Sequence, residues 1–136
     1  MARAGAGGGG DRMKEDVKRM LAALGLNPER RACEQLADLL ERLLPLWGAP
    51  SLADAYRQTG ARFGVRAVQV ERNVRALILG LSDSPGGRAA LRGLLPWHTG
   101  EEPPGNRAFL LALAARLRID RACGSGARSM PGSPAS

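Results

Sequence analysis

Apolar residues recur three and four positions apart through most of this chain, and no run of β-branched residues alternates with polar ones, a pattern that predicts an all-α domain. From Arg12 to Leu24, the residues Met13, Val17, Met20, Leu21 and Leu24 share one helical face, and Gly25 supplies a C-terminal stop. Asn27 reads as the cap of a second helix, with Pro28 at its first position and Leu36, Leu39, Leu40 and Leu43 on its apolar face. Pro45 and Gly48 end that helix, and Trp47 between them is expected in the core. Ser51 caps a third helix that carries Leu52, Ala55, Tyr56 and Thr59 and finishes near Phe63; Gly64-Val65 then makes a tight corner. A fourth helix is expected from about Arg66 to about Leu81. Ser84, in the loop Ser82-Asp83-Ser84-Pro85, caps a short fifth helix through Leu95. After the loop PWHTGEEPPG, Asn106 caps a last helix bearing Phe109, Leu113 and Leu117 and ending near Ile119. The expectation is a compact six-helix bundle over residues 12–121, between a disordered Gly/Ala-rich leader (1–11) and a disordered tail (122–136).

The third and fourth helices, joined by a short glycine-containing turn, form a helix-turn-helix pattern over about residues 51–81. Gly60, four positions before Gly64, permits close helix approach, and Phe63, Val65 and Val70 lock the pair together. Asn73 is a misfit, since an apolar residue often occupies that position. At ~100° per residue, Val70, Val74, Leu77, Ile78 and Leu81 gather on one side of the fourth helix. Arg72 and Arg75 project from the other side, with Val68, Gln69 and Ala76 nearby and Glu71 at the flank. Such a face suits a major groove about 12 Å wide. Arg72 and Arg75 carry the fork that pairs with guanine O6 and N7, Glu71 can accept from a cytosine amino group, and Val68 can touch a thymine methyl. Arg57, Arg62 and Arg66 cluster around the turn and suit phosphate contacts. The bland reading is a solvated face, in which Glu71 pairs with Arg75 at i,i+4.

Charge favours the first of these. The chain has 136 residues, one domain's worth, with 20 Lys+Arg against 13 Asp+Glu, and 18 of the 20 cations are arginine. An Arg/Ala/Gly-rich composition also follows from a GC-rich genome, but the excess is localised: residues 51–92 hold 7 cations and 3 anions. Cys33 and Cys123 form no C-x-x-C pair, which argues against a disulfide framework or a zinc site. The single His98 has no nucleophile or paired carboxylate near it in sequence, and no glycine-rich loop follows a strand, so neither an enzyme nor a bound cofactor is expected. No apolar run reaches the ~20 residues of a membrane span, and a cytoplasmic location is the default expectation.

The string Val70-Glu71-Arg72, followed by Arg75 and Ile78, resembles the recognition helix of the stage-zero sporulation regulator family, the master transcription factors of endospore formation. Tyr56, Arg62 and Phe63 match the helix before it, VKRMLAALGLNP resembles the family's first helix and turn, and Pro104-Gly105-Asn106-Arg107-Ala108-Phe109 resembles its entry into the last helix. The resemblance covers roughly residues 13 to 120 and is to the family's C-terminal effector domain. It implies a six-helix domain that binds double-stranded DNA at TGTCGAA-type boxes, the helix at about 66–81 lying in the major groove with Glu71, Arg72 and Arg75 toward the bases. It also implies tandem binding on adjacent boxes and contact with RNA polymerase and its sigma factor.

Three departures qualify that expectation. Family members carry an N-terminal receiver domain, whereas only about a dozen Gly/Ala-rich residues precede the first helix here; a stand-alone paralogue or an excised domain is expected. Glu101-Glu102-Pro103 replaces basic residues before the last helix, and Val68 replaces a polar one. The alternative is a receiver-less interaction module that binds RNA polymerase, its sigma factor or another sporulation protein, with little DNA specificity.

Overall fold

The computed structural model describes residues 13–98 and 101–129, with side chains described as far as Cys123. The expected leader, residues 130–136 of the expected tail, and Thr99 and Gly100 of the long loop lie outside the described residues. The domain is all-α and holds six helices: α1 (Glu15–Leu24), α2 (Arg31–Leu43), α3 (Leu52–Phe63), α4 (Ala67–Ser82), α5 (Pro85–Leu94) and α6 (Asn106–Ser129). Among the described residues there is no strand, and no helix is long and apolar enough to cross a membrane.

The helices form where periodicity and caps coincide. The Ser51 hydroxyl accepts from the Asp54 N–H at 3.1 Å, and the Ser84 hydroxyl accepts from the Gly87 N–H at 3.0 Å, each satisfying an amide that has no partner within its helix. α1 stops at Gly25, whose N–H turns back to Leu21 and Ala22 carbonyls. The core joins every helix: Val17 and Leu21 of α1, Leu36, Leu39 and Leu40 of α2, Ala55 of α3, Val70, Val74 and Ile78 of α4, Leu91 of α5, and Phe109, Leu113 and Leu117 of α6 are all buried. α3 packs on both α2 and α4, while α6 lies across α1, α2 and α4.

Four local expectations are corrected. Asn27 does not cap α2. Its side chain accepts from Glu29 N–H and its carbonyl from Arg30 N–H, closing a separate turn, and α2 starts after Arg30, which is extended. Trp47 is 90% exposed, not core. It would extend the row of Leu43 only if the helix continued, and α2 ends at Leu43, two residues before Pro45. Asn106 is the first residue of α6 rather than its cap, the Gly105 carbonyl taking the Phe109 N–H. Finally, α6 runs past Ile119 to Ser129, because DRACGSGARS contains glycines that weaken a helix but no proline to end one.

Charged ties fasten α6 to α1 and α2. Arg121 on α6 donates to Asp16 of α1 (2.6 and 3.2 Å) and to Glu41 of α2 (2.8 and 3.3 Å). Arg118 donates to the Leu43 and Leu44 carbonyls, where the dipole of α2 favours a cation. The Arg121 hydrogen bond holds the Asp16 carboxyl below its ordinary 3.8 against the opposing effect of burial. A lowered folded value means that this stability is complete above the ordinary value and is lost as pH falls through the folded one. In urea titrations stability should therefore decline as pH drops below about 4.5. Asp16→Asn should flatten that decline and cost about 1–2 kcal/mol at neutral pH, the pair being partly screened by solvent. An unchanged acid limb in Asp16→Asn would show that other carboxylates set it.

Candidate nucleic-acid interface

At the α3–α4 corner two helices are joined by the turn Gly64-Val65-Arg66 through close backbone contact. Gly64 closes α3 in the left-handed region at φ 73°, and Val65 N–H donates to the Gly60 carbonyl at 2.9 Å. Gly60 is buried where the two helices cross; a Cβ placed there would stand 2.6 Å from the Val65 carbonyl oxygen. α4 then starts after an extended Arg66, with neither a side-chain cap nor an acidic residue in its first turn.

On α4 the side opposite the core divides into three rows at ~100° per residue. The central row holds Val68, Arg72 and Ala76, all exposed. On one flank lie Gln69 and Asn73. Gln69 Nε2 donates to Asn73 Oδ1 at 3.0 Å, and Asn73 Nδ2 donates to Oε1 of the buried Gln35 at 2.7 Å. The misfit Asn73 is thereby explained: it supplies the partner that a buried amide on α2 requires.

The other flank holds Glu71 and Arg75. Glu71 is exposed, and its backbone carbonyl accepts from Asn106 Nδ2 at 3.0 Å; the same Nδ2 lies 3.2 Å from the Tyr56 hydroxyl. Burial, with the Glu71 charge adding to it, pushes the Tyr56 phenol up despite that hydrogen bond, so the phenol stays protonated. Arg75 is half-buried and turns to Pro104 rather than to Glu71, its Nη1 donating to the Pro104 carbonyl at 2.7 Å. Pro104 is buried, and a carbonyl stranded there costs about 1–3 kcal/mol.

The residues expected at phosphates behave differently from one another. Arg62 is engaged: it donates to Asp38 at 2.9 Å and, with Arg31, sits over the Phe63 ring, the two guanidinium carbons 5.7 and 5.3 Å from its centroid. Asp38 also accepts from Thr59 and Arg42, both at 2.7 Å, so this cluster braces α2 against α3. Arg57 is exposed and ion-paired with Asp54 one turn earlier. Arg66, like Arg72, is exposed and makes no side-chain hydrogen bond or ion pair with the described residues.

Sequence reasoning missed the two ties from the α6 entry to α4 and the Gln35–Asn73 pair. Only the last left a signal, a glutamine and an asparagine each standing within an apolar row. His98 Nε2 lies 2.7 Å from the Glu102 carbonyl. Among the described residues no group of His, Cys, Asp and Glu could hold a metal ion. Burial pushes the Cys33 thiol up, away from its reactive thiolate form.

Fold and corner together define an all-α domain of six helices, two of which, α3 and α4, meet at a short glycine-containing turn. No family model, curated protein or solved structure matches the chain.

Proposed function

We propose that this chain is a sequence-specific DNA-binding transcription regulator of the sporulation-initiation type, with α4 entering the major groove. The observation that carries the reading is Arg72. It lies opposite the core of α4, exposed and uncommitted, one turn beyond exposed Val68 and beside Glu71, at the front of a helix-turn-helix. Arg72 then pairs with guanine, Glu71 accepts from cytosine and Val68 meets a thymine methyl, while Arg66 borders the corner as a phosphate contact, Arg57 and Arg62 being held by Asp54 and Asp38. The motif Val70-Glu71-Arg72…Arg75 adds the likeness to the sporulation regulators and the TGTCGAA-type box as the first sequence to test.

The test is fluorescence anisotropy of a labelled duplex carrying two tandem TGTCGAA boxes against a scrambled duplex near physiological salt. A preference of ~100-fold or more, with affinity falling steeply with salt as ~4–6 phosphates are neutralised, is the expected result. Arg72→Ala should cost about 1–3 kcal/mol on the boxes and relax discrimination at one base pair. Equal loss on every sequence would make Arg72 a phosphate contact instead.

A second reading is a module that binds RNA polymerase, its sigma factor or another sporulation protein. It is favoured by Leu46 and Trp47, 72% and 90% exposed on the α2–α3 loop, since an aromatic beside an aliphatic residue is a common anchor of protein contacts. Equal, weak binding to both duplexes would leave this reading in place of the first.

A further inference from the structure

We infer that Arg75, together with Asn106, is a positioning residue that fixes the roll of α4, and that base reading falls to the Val68–Arg72 row. The inference rests on the DNA-binding reading of α4 and assigns Arg75 a role different from that of Arg72.

Both ties lie on a single i,i+4 row. Asn106 Nδ2 holds the Glu71 carbonyl at 3.0 Å, and one turn further on Arg75 Nη1 holds the Pro104 carbonyl at 2.7 Å. One donor comes from the α6 entry and the other from α4, so the grip is reciprocal. Two ties one turn apart hold this flank of the helix against the α6 entry, resisting tilt as well as rotation. Gln69 and Asn73 form the matching row on the far flank, anchored to Gln35. Arg72, on the exposed Val68–Arg72–Ala76 row, lies midway between the two tethered rows, about 60° from both Gln69 and Arg75.

The chemistry separates the two arginines. Arg72 is exposed and its fork is claimed by none of the described residues, as bidentate pairing with guanine requires. Arg75 is half-buried, and its Nη1 is committed to a carbonyl whose residue is buried. Releasing it to read a base would strand that carbonyl. Pro103 and Pro104 lack N–H groups, so the loop entering α6 has few donors of its own with which to hold its place. A mispositioned reading helix loses contact with every base at once, so loss of positioning and loss of a reader leave different signatures.

The experiment compares Arg75→Ala, Arg75→Lys, Asn106→Ala and the double variant Arg75→Ala/Asn106→Ala. The probes are the tandem TGTCGAA duplex and a set of its single-base variants, alongside amide hydrogen exchange of the full chain without DNA. Expected in Arg75→Ala are faster exchange of the Phe109 amide, whose bond to the Gly105 carbonyl opens α6, and a roughly tenfold loss of affinity shared evenly by all duplexes. The double variant should lose less than the two single losses combined, as members of one unit do. Arg75→Lys should restore most of both signals, because an ammonium can donate to one carbonyl but lacks the fork for guanine. If the wild-type chain prefers the boxes and Arg75→Ala loses discrimination at one base pair with exchange unchanged, Arg75 is a reader and the inference falls alone. If the wild-type chain shows no preference among duplexes, the DNA reading fails and the positioning role fails with it. Faster exchange in Arg75→Ala would then retain the two ties only as an architectural joint.

Discussion

Gly60→Ala is expected to destabilise the domain by about 3 kcal/mol, at the upper end of what one added methyl costs in a filled interior. The added Cβ would stand 2.6 Å from the Val65 carbonyl oxygen, 3.2 Å from the Arg66 carbonyl carbon and 3.3 Å from the Ala67 nitrogen. All three are backbone atoms of the turn and the first residue of α4, so no side chain can rotate away and the corner itself must open. Opening it shifts Arg66 and the start of α4 together, and binding to every duplex should weaken alike. The matched control is Gly80→Ala on the partner helix α4, where an added Cβ meets nothing within 4 Å and the expected change is a gain of roughly 0.5–1 kcal/mol. Urea unfolding of the two variants checks the pair. A Gly60→Ala variant as stable as wild type would mean that α3 and α4 do not approach this closely.

Why so much of the fold was legible follows from the local nature of its signals. Ser51 and Ser84 cap because each stands three residues before the amide it satisfies. The leucine rows of α2 and α4 repeat at the helical period, and all of their expected members are buried. The errors arose where a residue's role depends on something distant or on where its helix ends. Trp47 is in phase with the α2 stripe, but a helix that stops at Leu43 cannot carry it inward. Asn106 has the composition of a cap, yet its amide is claimed by Glu71 and Tyr56, 35 and 50 positions away.

The candidate site divides in the same way. That Arg72 lies opposite Val70, Val74 and Leu77 could be read from the wheel alone, and the structure places it exposed. Arg75 lies only ~60° from Arg72 by the same geometry, so no periodic rule distinguishes the two. What distinguishes them is the loop before α6, which approaches one flank of α4 and not its front. Arg62 shows the same effect, since its partner Asp38 is 24 positions away on α2. Arginine-rich surfaces look uniform in sequence because the fork serves carbonyls, carboxylates, aromatic faces and phosphates equally well.

Phe109→Ala is expected to have the largest effect of any single substitution in the core, about 3–5 kcal/mol. Phe109 is fully buried and heads the largest completely enclosed side chains, on the first turns of α6 where that helix meets α4. A domain of this size has roughly 5–15 kcal/mol in total, so the loss would remove about a fifth of it or more and should appear as a large fall in the urea midpoint at constant slope. The position also bears on function. Phe109 lies three residues beyond Asn106, so its packing seats the very turn from which Asn106 reaches the Glu71 carbonyl. Phe109→Leu keeps much of the buried volume and should remain folded, yet it should still loosen that turn. On the positioning account, Phe109→Leu then weakens binding to all duplexes by one common factor and leaves the ranking among them unchanged, as Asn106→Ala does. A changed ranking in Phe109→Leu would mean that the α6 entry acts on individual base contacts, which the observed ties, both made at backbone carbonyls, give it no means to do.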